Sequence, residues 1–340
     1  MSSIPNRKKD HVVLTAGEDV AYTQSTGLER YHFLHNALPE VNFDQVSTES
    51  SLLGHSFSMP FFISSMTGGY ADGTAINQML ASICNDMNLP MGVGSQRAMI
   101  EDQSQTDSFS IVRKTAPNAF IAANIGGCQL IESNIKENLD IAIDSIQADA
   151  LIIHLNPLQE LMQPEGDRKF AGILEAIHTT VEVFNIPVIV KETGAGLSLS
   201  VIDKLSEAGV KVIDIAGAGG TSWSKVENKR QISSQNNLDI FNDWGIPLAH
   251  ILEQLPSEEQ RSYKIIASGG IRTSLDILAS LCLGADLAAS ATPLIKHLVN
   301  GGEASARKWL QDIQHQLKIG MCLLGVTSPN QLARKHLHKV

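Results

Sequence analysis

Short apolar runs alternate along this chain with stretches whose apolar residues recur every three or four positions. Eight runs have strand character: 60–65 (PFFISS), 90–95 (PMGVGS), 119–125 (AFIAANI), 150–156 (ALIIHLN), 187–193 (PVIVKET), 211–217 (KVIDIAG), 264–270 (KIIASGG) and 285–291 (ADLAASA). They are nearly continuous in apolar residues, as strands buried on both faces are. Between them lie helical patterns: 75–87 with Ile76, Met79, Leu80 and Ile83 on one face, 134–147 with Leu139, Ile143 and Ile146, then 173–184, 198–208, 247–255 and 273–283, with 304–324 closing the chain. Alternation of this kind predicts parallel strands joined by helical crossovers. Eight such units predict a closed (β/α)8 barrel rather than an open sheet. We expect one domain over 1–340, with 1–58 as an N-terminal extension. The stretch 222–246 is too polar and too long for an ordinary connection, and is expected to form a lid-like insertion after the sixth strand.

Composition narrows the chemistry. The chain has 340 residues, of which 43% are hydrophobic, enough for one large core. Its net charge of −10 disfavours bulk attraction to nucleic acid or an anionic membrane, so an anionic ligand must be held by a local cluster. Cys84, Cys128, Cys282 and Cys322 are scattered, which predicts neither a zinc site nor a disulfide framework. No apolar stretch is long enough for a membrane span or a secretory signal, and a cytoplasmic location is expected. The pairs His32/His35 and His336/His338 read as surface histidines.

In such a barrel the chemistry sits where strands end and βα loops begin. The polar residues here gather at those ends: Ser64 to Gly69, Gly94 to Arg97, Asn124 to Gly127, His154 to Glu160, Lys191 to Gly194, Ala216 to Thr221 and Ser268 to Arg272. Glycine pairs after the sixth and seventh strands read either as tight turns or as a backbone cradle for phosphate. Thr273 and Asp276 fit a capping box that opens a helix at the same spot. Lys191 at a buried strand rim needs an anionic or electron-rich partner, with a salt bridge to Glu192 as the plainer alternative. His154 and Asn156 lie on one side of their strand, facing either a ligand or the core. Arg7, Lys8, Lys9 and His11 form the compact basic cluster near the start, which composition alone reads as a solvated tail.

These residues carry a family resemblance. The motifs RKKDH (7–11), SMTGG (65–69), GVGSQR (92–97), AANIG (122–126), HLNPLQE (154–160), VKETG (190–194), GAGGTSW (217–223) and SGGIR (268–272) resemble the type II, FMN-dependent isopentenyl-diphosphate isomerase family from about residue 5 to about residue 325. The resemblance implies an FMN-linked TIM barrel. It implies flavin contacts at Ser65, Met66, Thr67, Ser95, Asn124 and Lys191. Phosphate contacts are implied at Thr221, Gly270, Ile271, Arg272, Ala291 and Thr292. Arg7, Lys8, His11, Ser95, Gln96 and Arg97 resemble the clamp for the substrate diphosphate. Gln159 is similar to the residue over the reacting alkene and Glu160 to the Mg2+ ligand, and Lys191, His154 and Asn156 join Gln159 in the implied catalytic group. NADPH as reductant and a homotetramer or homooctamer are implied too. The run Lys225 to Lys229 is more basic than the family pattern, and the tail after Gly325 does not match it.

The implied reaction moves a double bond between isopentenyl and dimethylallyl diphosphate with no net oxidation. The barrel rim offers no cysteine and no carboxylate pair to protonate an alkene, and Glu160 is better suited to Mg2+. Reduced FMN is therefore the expected acid–base agent, with Lys191 favouring its anionic form. The basic N-terminal cluster is expected to order on the diphosphate. Rival readings are a hydroxy-acid-oxidase type of flavin enzyme, which needs a second arginine besides Arg272, an inosinate-dehydrogenase type, which needs a cysteine near Thr221, and a non-catalytic flavin-binding module.

Overall fold

The structure, a computed structural model, describes residues 4–230 and 238–340. All eight predicted runs form strands: β1 (Phe61–Ile63), β2 (Met91–Gly92), β3 (Ile121–Gly126), β4 (Ala150–Leu155), β5 (Val188–Glu192), β6 (Val212–Asp214), β7 (Lys264–Ala267) and β8 (Leu287–Ser290). Every neighbouring pair is parallel, and β8 closes onto β1 with Ala288 opposite Phe61, giving the closed barrel. The strands are shorter than the apolar runs. The second strand is the shortest, and its Gly92 lets Ser65 approach closely: a Cβ there would lie 2.3 Å from Ser65 Oγ.

Helices fill the crossovers as expected, with differences at the ends. The last one spans Thr292–Leu323 and is broken at Gly302, whose φ of 67° no other residue type adopts comfortably. The glycine pair at 301–302 masks the helical period upstream, so the sequence pattern predicts only its second part. Short helices at Arg97–Glu101, Asp107–Thr115 and Pro157–Met162 carry too few turns to register as a period.

The N-terminal extension works at both ends of the barrel. A hairpin, Ser50–Leu52 with His55–Phe57, turns on Leu53 and Gly54, both at positive φ, as a two-residue type I′ turn requires. Its Leu52 and Phe57 pack against Phe62, Phe120, Ile152, Ile189, Ile266 and Leu287 inside the barrel, sealing the floor. At the other end, Ile4–Gly17 is a helix lying over the mouth, where composition alone predicts a solvated tail. The C-terminal tail is pinned as well: Leu337–Lys339 pairs antiparallel with Tyr31–Phe33. Within the predicted 222–246 insertion, Trp223–Arg230 is helical and Asp239–Phe241 forms a single 3-10 turn; residues 231–237 of that insertion lie outside the described residues.

Candidate active site

Two adjoining hollows open at the carboxyl ends of the strands. The larger, about 720 Å3, runs from Ser65 and Met66 past Lys191 to Thr221, Gly270, Ile271, Arg272, Ala291 and Thr292. The smaller, about 130 Å3, is walled by Arg7, Lys8, His11, Ser95, Arg97 and Asn124 on one side. His154, Asn156, Gln159 and Glu160 form its other side. Ser65, Met66, Lys191, Thr193 and Trp223 border both, so the two spaces share a wall. The structure thus gathers every residue expected in the site except Thr67 and Gln96.

Neither side chain lines a hollow. Gln96 is fully buried, donating from Nε2 to the Ala142 carbonyl (2.8 Å) and accepting at Oε1 from the Asn124 N–H (2.9 Å). It ties β3 to the helix Ile135–Asp144 and cannot reach a diphosphate. Thr67 is buried too, with its hydroxyl turned to Tyr70 Oη (3.3 Å) and its carbonyl accepting from Gly94 N–H (2.9 Å). Both follow a residue that does line a hollow, and the family resemblance of the motifs SMTGG and GVGSQR is what suggested them.

The end of the larger hollow where the sequence leads one to expect a phosphate is built from glycine. A Cβ on Gly269 would stand 1.9 Å from the Gly217 carbonyl oxygen, and one on Gly270 2.3 Å from Thr26 Cγ2, so the loops after β6 and β7 touch only because neither side chain exists. Gly269 and Gly270 also sit at φ of +94° and +79°. The capping box forms: Asp276 accepts from the backbone N–H groups of Arg272 (2.9 Å) and Thr273 (2.8 Å), and Thr273 Oγ1 accepts from Asp276 N–H (3.2 Å). The Arg272 amide is therefore committed, while its guanidinium donates from Nη2 to the Gly219 carbonyl (3.3 Å) and keeps further N–H groups for an anion. Facing it across the hollow, the Thr221 and Thr292 hydroxyls lie 2.9 Å apart at the start of the last helix.

The end of the larger hollow at Ser65 and Lys191, where the sequence leads one to expect the flavin ring, holds an unsatisfied polar atom. Ser65 Oγ is buried with no hydrogen bond, a condition that costs about 1–3 kcal/mol unless a ligand supplies the partner. An unpaired hydroxyl beside Lys191, a glycine cradle and a helix N-terminus at the far end fit flavin mononucleotide. Lys191 does not pair with the Glu192 carboxylate. Register sets it opposite Asp214 on β6, its Nζ 3.7 Å from Asp214 Oδ2 and 2.5 Å from the Glu192 carbonyl. Burial pushes the Asp214 carboxyl up, while Lys191 and the Ser268 hydroxyl (2.5 Å) draw it back. Glu192 instead caps its own loop, accepting from the N–H groups of Gly194, Ala195 and Gly196.

In the smaller hollow, hydrogen bonding fixes the histidine. Asn124 donates its amide to the Val93 carbonyl (2.9 Å), so its Oδ1 accepts from His154 Nδ1 (2.8 Å) and leaves Nε2 with the lone pair. Burial, then Lys191 and Lys8, hold this imidazole down to about 3, so it is neutral at any working pH. Asn156 donates to Gln159 Oε1 (3.2 Å) and Glu160 Oε1 (2.9 Å), orienting both. Glu160 Oε2 accepts from Asp167 N–H (2.8 Å).

Cations meet these residues from the extension. Arg7 donates to Gln163 Oε1 (2.8 Å), Lys8 to the Ser95 carbonyl (2.5 Å), and His11 Nε2 lies 2.8 Å from Glu227 Oε1 with its ring edge-on to Trp223. Burial and the neighbouring Arg7 lower Lys8 to about 7. Arg97 pairs with Glu101 (2.6 Å) and Asp167 (2.9 Å). Asp214, Gln163, Glu227 and Arg230 escape the sequence reading. Only Asp214 left a signal, as a carboxylate inside the run KVIDIAG.

Among the described residues no group of three His, Cys, Asp or Glu side chains gathers to cage a metal. A single carboxylate such as Glu160 suits Mg2+ that keeps its remaining oxygens from water and phosphate.

Comparison with known proteins agrees with this architecture. A family described as FMN-dependent dehydrogenase matches residues 158–339. Solved barrels of the same shape include the flavin-binding domain of baker's yeast flavocytochrome b2 (TM-score 0.71, 18% identity, 95% of this chain and 80% of that one). A mandelate oxidase variant is similar (TM-score 0.69, 15% identity, 98% and 95%). At such identities they share the fold alone. Curated relatives are far nearer. The isopentenyl-diphosphate delta-isomerase of Chlorobaculum parvum is 43% identical over 98% of this chain and 96% of its own length. That of Aeropyrum pernix is 40% identical over 96% and 88%. With such relatives matched nearly end to end on an FMN-type barrel, this chain belongs to the isopentenyl-diphosphate delta-isomerase family.

Proposed function

We propose that this chain interconverts isopentenyl diphosphate and dimethylallyl diphosphate using reduced FMN and Mg2+, with NADPH as reductant. The observation that carries the proposal is the shared wall: a hollow ringed by Arg7, Lys8 and Arg97 abuts a flavin-sized one across Ser65, Met66, Lys191 and Trp223. Reduced FMN supplies an electron-rich face and exchangeable protons beside the alkene. The chain's own residues do the rest. Arg7, Lys8 and Arg97 give charge-assisted hydrogen bonds to the diphosphate. Glu160 would hold Mg2+ through its carboxylate, and the ion would offset the charge of the diphosphate. Lys191, balanced by Asp214, keeps a cation at the flavin edge, where it favours an anionic ring. Neutral His154 accepts at Nε2 and cannot act as a cationic acid. Gln159, 3.4 Å from Glu227 Oε1, is oriented from both ends of its amide. Met66 and Trp223 keep water from a carbocation-like transition state.

The test is anaerobic incubation of reduced holoenzyme with isopentenyl diphosphate and Mg2+, following dimethylallyl diphosphate. Full activity with oxidised flavin under air, or none with reduced flavin, overturns the proposal. Gln159→Ala should lower turnover about a hundredfold while flavin stays bound; loss of flavin from that variant would assign Gln159 to the cofactor. Hydroxy-acid oxidation fits less well. Among the described lining of the larger hollow Arg272 is the single arginine, and the histidine there, His297, stacks on Trp309 and bonds Ser305 (2.9 Å). The same proposal includes a homotetramer or homooctamer. Exposed Leu34, Leu38, Phe43 and Leu323 support it, and light scattering tests it.

A further inference from the structure

Three segments outside the barrel wall cover the smaller hollow. The helix Ile4–Gly17 brings Arg7, Lys8 and His11, the stretch after β4 brings Gln159 and Glu160, and the helix Trp223–Arg230 brings Trp223. Among the described residues a short backbone bridge, Ala21 with Thr221, ties the chain just after the N-terminal helix to the start of the third segment, and side chains must set how the helix Ile4–Gly17 itself lies against the other two.

Arg230 pairs with a carboxylate from each of the three. Its Nη1 bonds the Glu227 carboxylate on its own helix. Nη2 lies 3.2 Å from Glu165 Oε1 in the stretch after β4, and Nε lies 3.6 Å from Asp10 Oδ2 on the N-terminal helix. The side chain is only 7% exposed, and its Nε makes no hydrogen bond, so the group is committed to ion pairing rather than to solvent. The same carboxylates reach the ligand-facing residues. Glu227, fully buried, bonds His11 at 2.8 Å through its other oxygen, and Glu165 is 3.9 Å from Arg7. Arg230 itself does not border the hollow.

We propose that Arg230 is a positioning residue: its three-way pairing with Asp10, Glu165 and Glu227 sets the N-terminal helix over the mouth and so places Arg7 and His11 for a diphosphate. The identity of that anion rests on the isomerase proposal. A planar guanidinium suits this place because its donors sit on three separate nitrogens spread in one rigid plane; an ammonium gathers its three donors on a single atom. Without it, Glu227 keeps a buried charge with only His11 and the Gln159 amide to answer it, and the helix loses its tie through Asp10.

The experiment compares wild-type holoenzyme with Arg230→Gln and Arg230→Lys. Three quantities are read: bound flavin, affinity for inorganic pyrophosphate, and the rate at which trypsin cuts after Arg7, Lys8 or Lys9. Arg230→Gln should keep its flavin, bind pyrophosphate about tenfold or more weakly, and be cut faster at the N-terminus. Its KM for isopentenyl diphosphate should rise more than its kcat falls, and Arg230→Lys should recover only part of each loss. Wild-type affinity and wild-type cutting in Arg230→Gln overturn the proposal. So does loss of flavin from both variants, which would make Arg230 a general stabiliser. If the wild-type protein fails to bind pyrophosphate, the ligand assignment falls, and the cutting rates alone still decide whether Arg230 fixes the helix.

Discussion

Lys8 lies at the junction of the extension and the barrel, with its ammonium on the Ser95 carbonyl and over the Phe109 ring. Burial and Arg7 lower it to about 7, so at pH 8 the free protein holds it mostly neutral. A bound diphosphate favours the charged form, so binding at pH 8 takes up a proton, and affinity weakens as pH rises above 7. Calorimetry in buffers of different ionisation enthalpy should register an uptake approaching about one proton in the wild type, absent in Lys8→Met. An equal uptake in that variant would assign the proton elsewhere. Gly269 offers a test of the phosphate cradle. Gly269→Ala forces a Cβ to within 1.9 Å of the Gly217 oxygen at a φ of +94°, so the loops must part. Flavin affinity should fall at least about tenfold, read from the fluorescence of released flavin. Unchanged retention would mean that the phosphate lies elsewhere.

Among the elements, the floor hairpin carries the clearest separable role. Phe57 is buried in the barrel interior and meets Phe120 edge-on, far from either hollow. Phe57→Ala should cost about 3–5 kcal/mol in urea unfolding while activity per folded molecule holds. A loss under about 1 kcal/mol would mean that other side chains seal the floor. The barrel strands were legible in the sequence because burial on both faces leaves unbroken apolar runs. The N-terminal helix was not, for the opposite reason. Its inward stripe of Arg7, Lys8, His11 and Thr15 is polar because the surface it covers is polar, so a search for apolar periodicity looks past it. Site residues at strand ends were legible by position. The pairing of Lys191 with Asp214 was not, since it depends on register between strands. Gln96, suggested by the resemblance of its motif, shows what a motif leaves out: one step beyond Ser95 the side chain points into the protein.

At the scale of the molecule, the two ends of the chain support each other. Tyr31–Phe33 pairs with Leu337–Lys339, Lys339 reaches Glu253 at 2.7 Å, and Arg334 holds the carbonyls of Leu252 and Leu255. Deleting residues 334–340 should therefore lower the melting temperature by several degrees, about 2–5 °C, with flavin retained; an unchanged melting temperature would show the tail to be idle. Barrel closure has a temporal side. The helix over the mouth and the hairpin under the floor are translated first, but their supports include β8 and Trp223–Arg230, which leave the ribosome much later. Neither can finish docking until most of the chain has been made, so the mouth and the floor of the barrel close late although the segments that close them are made early.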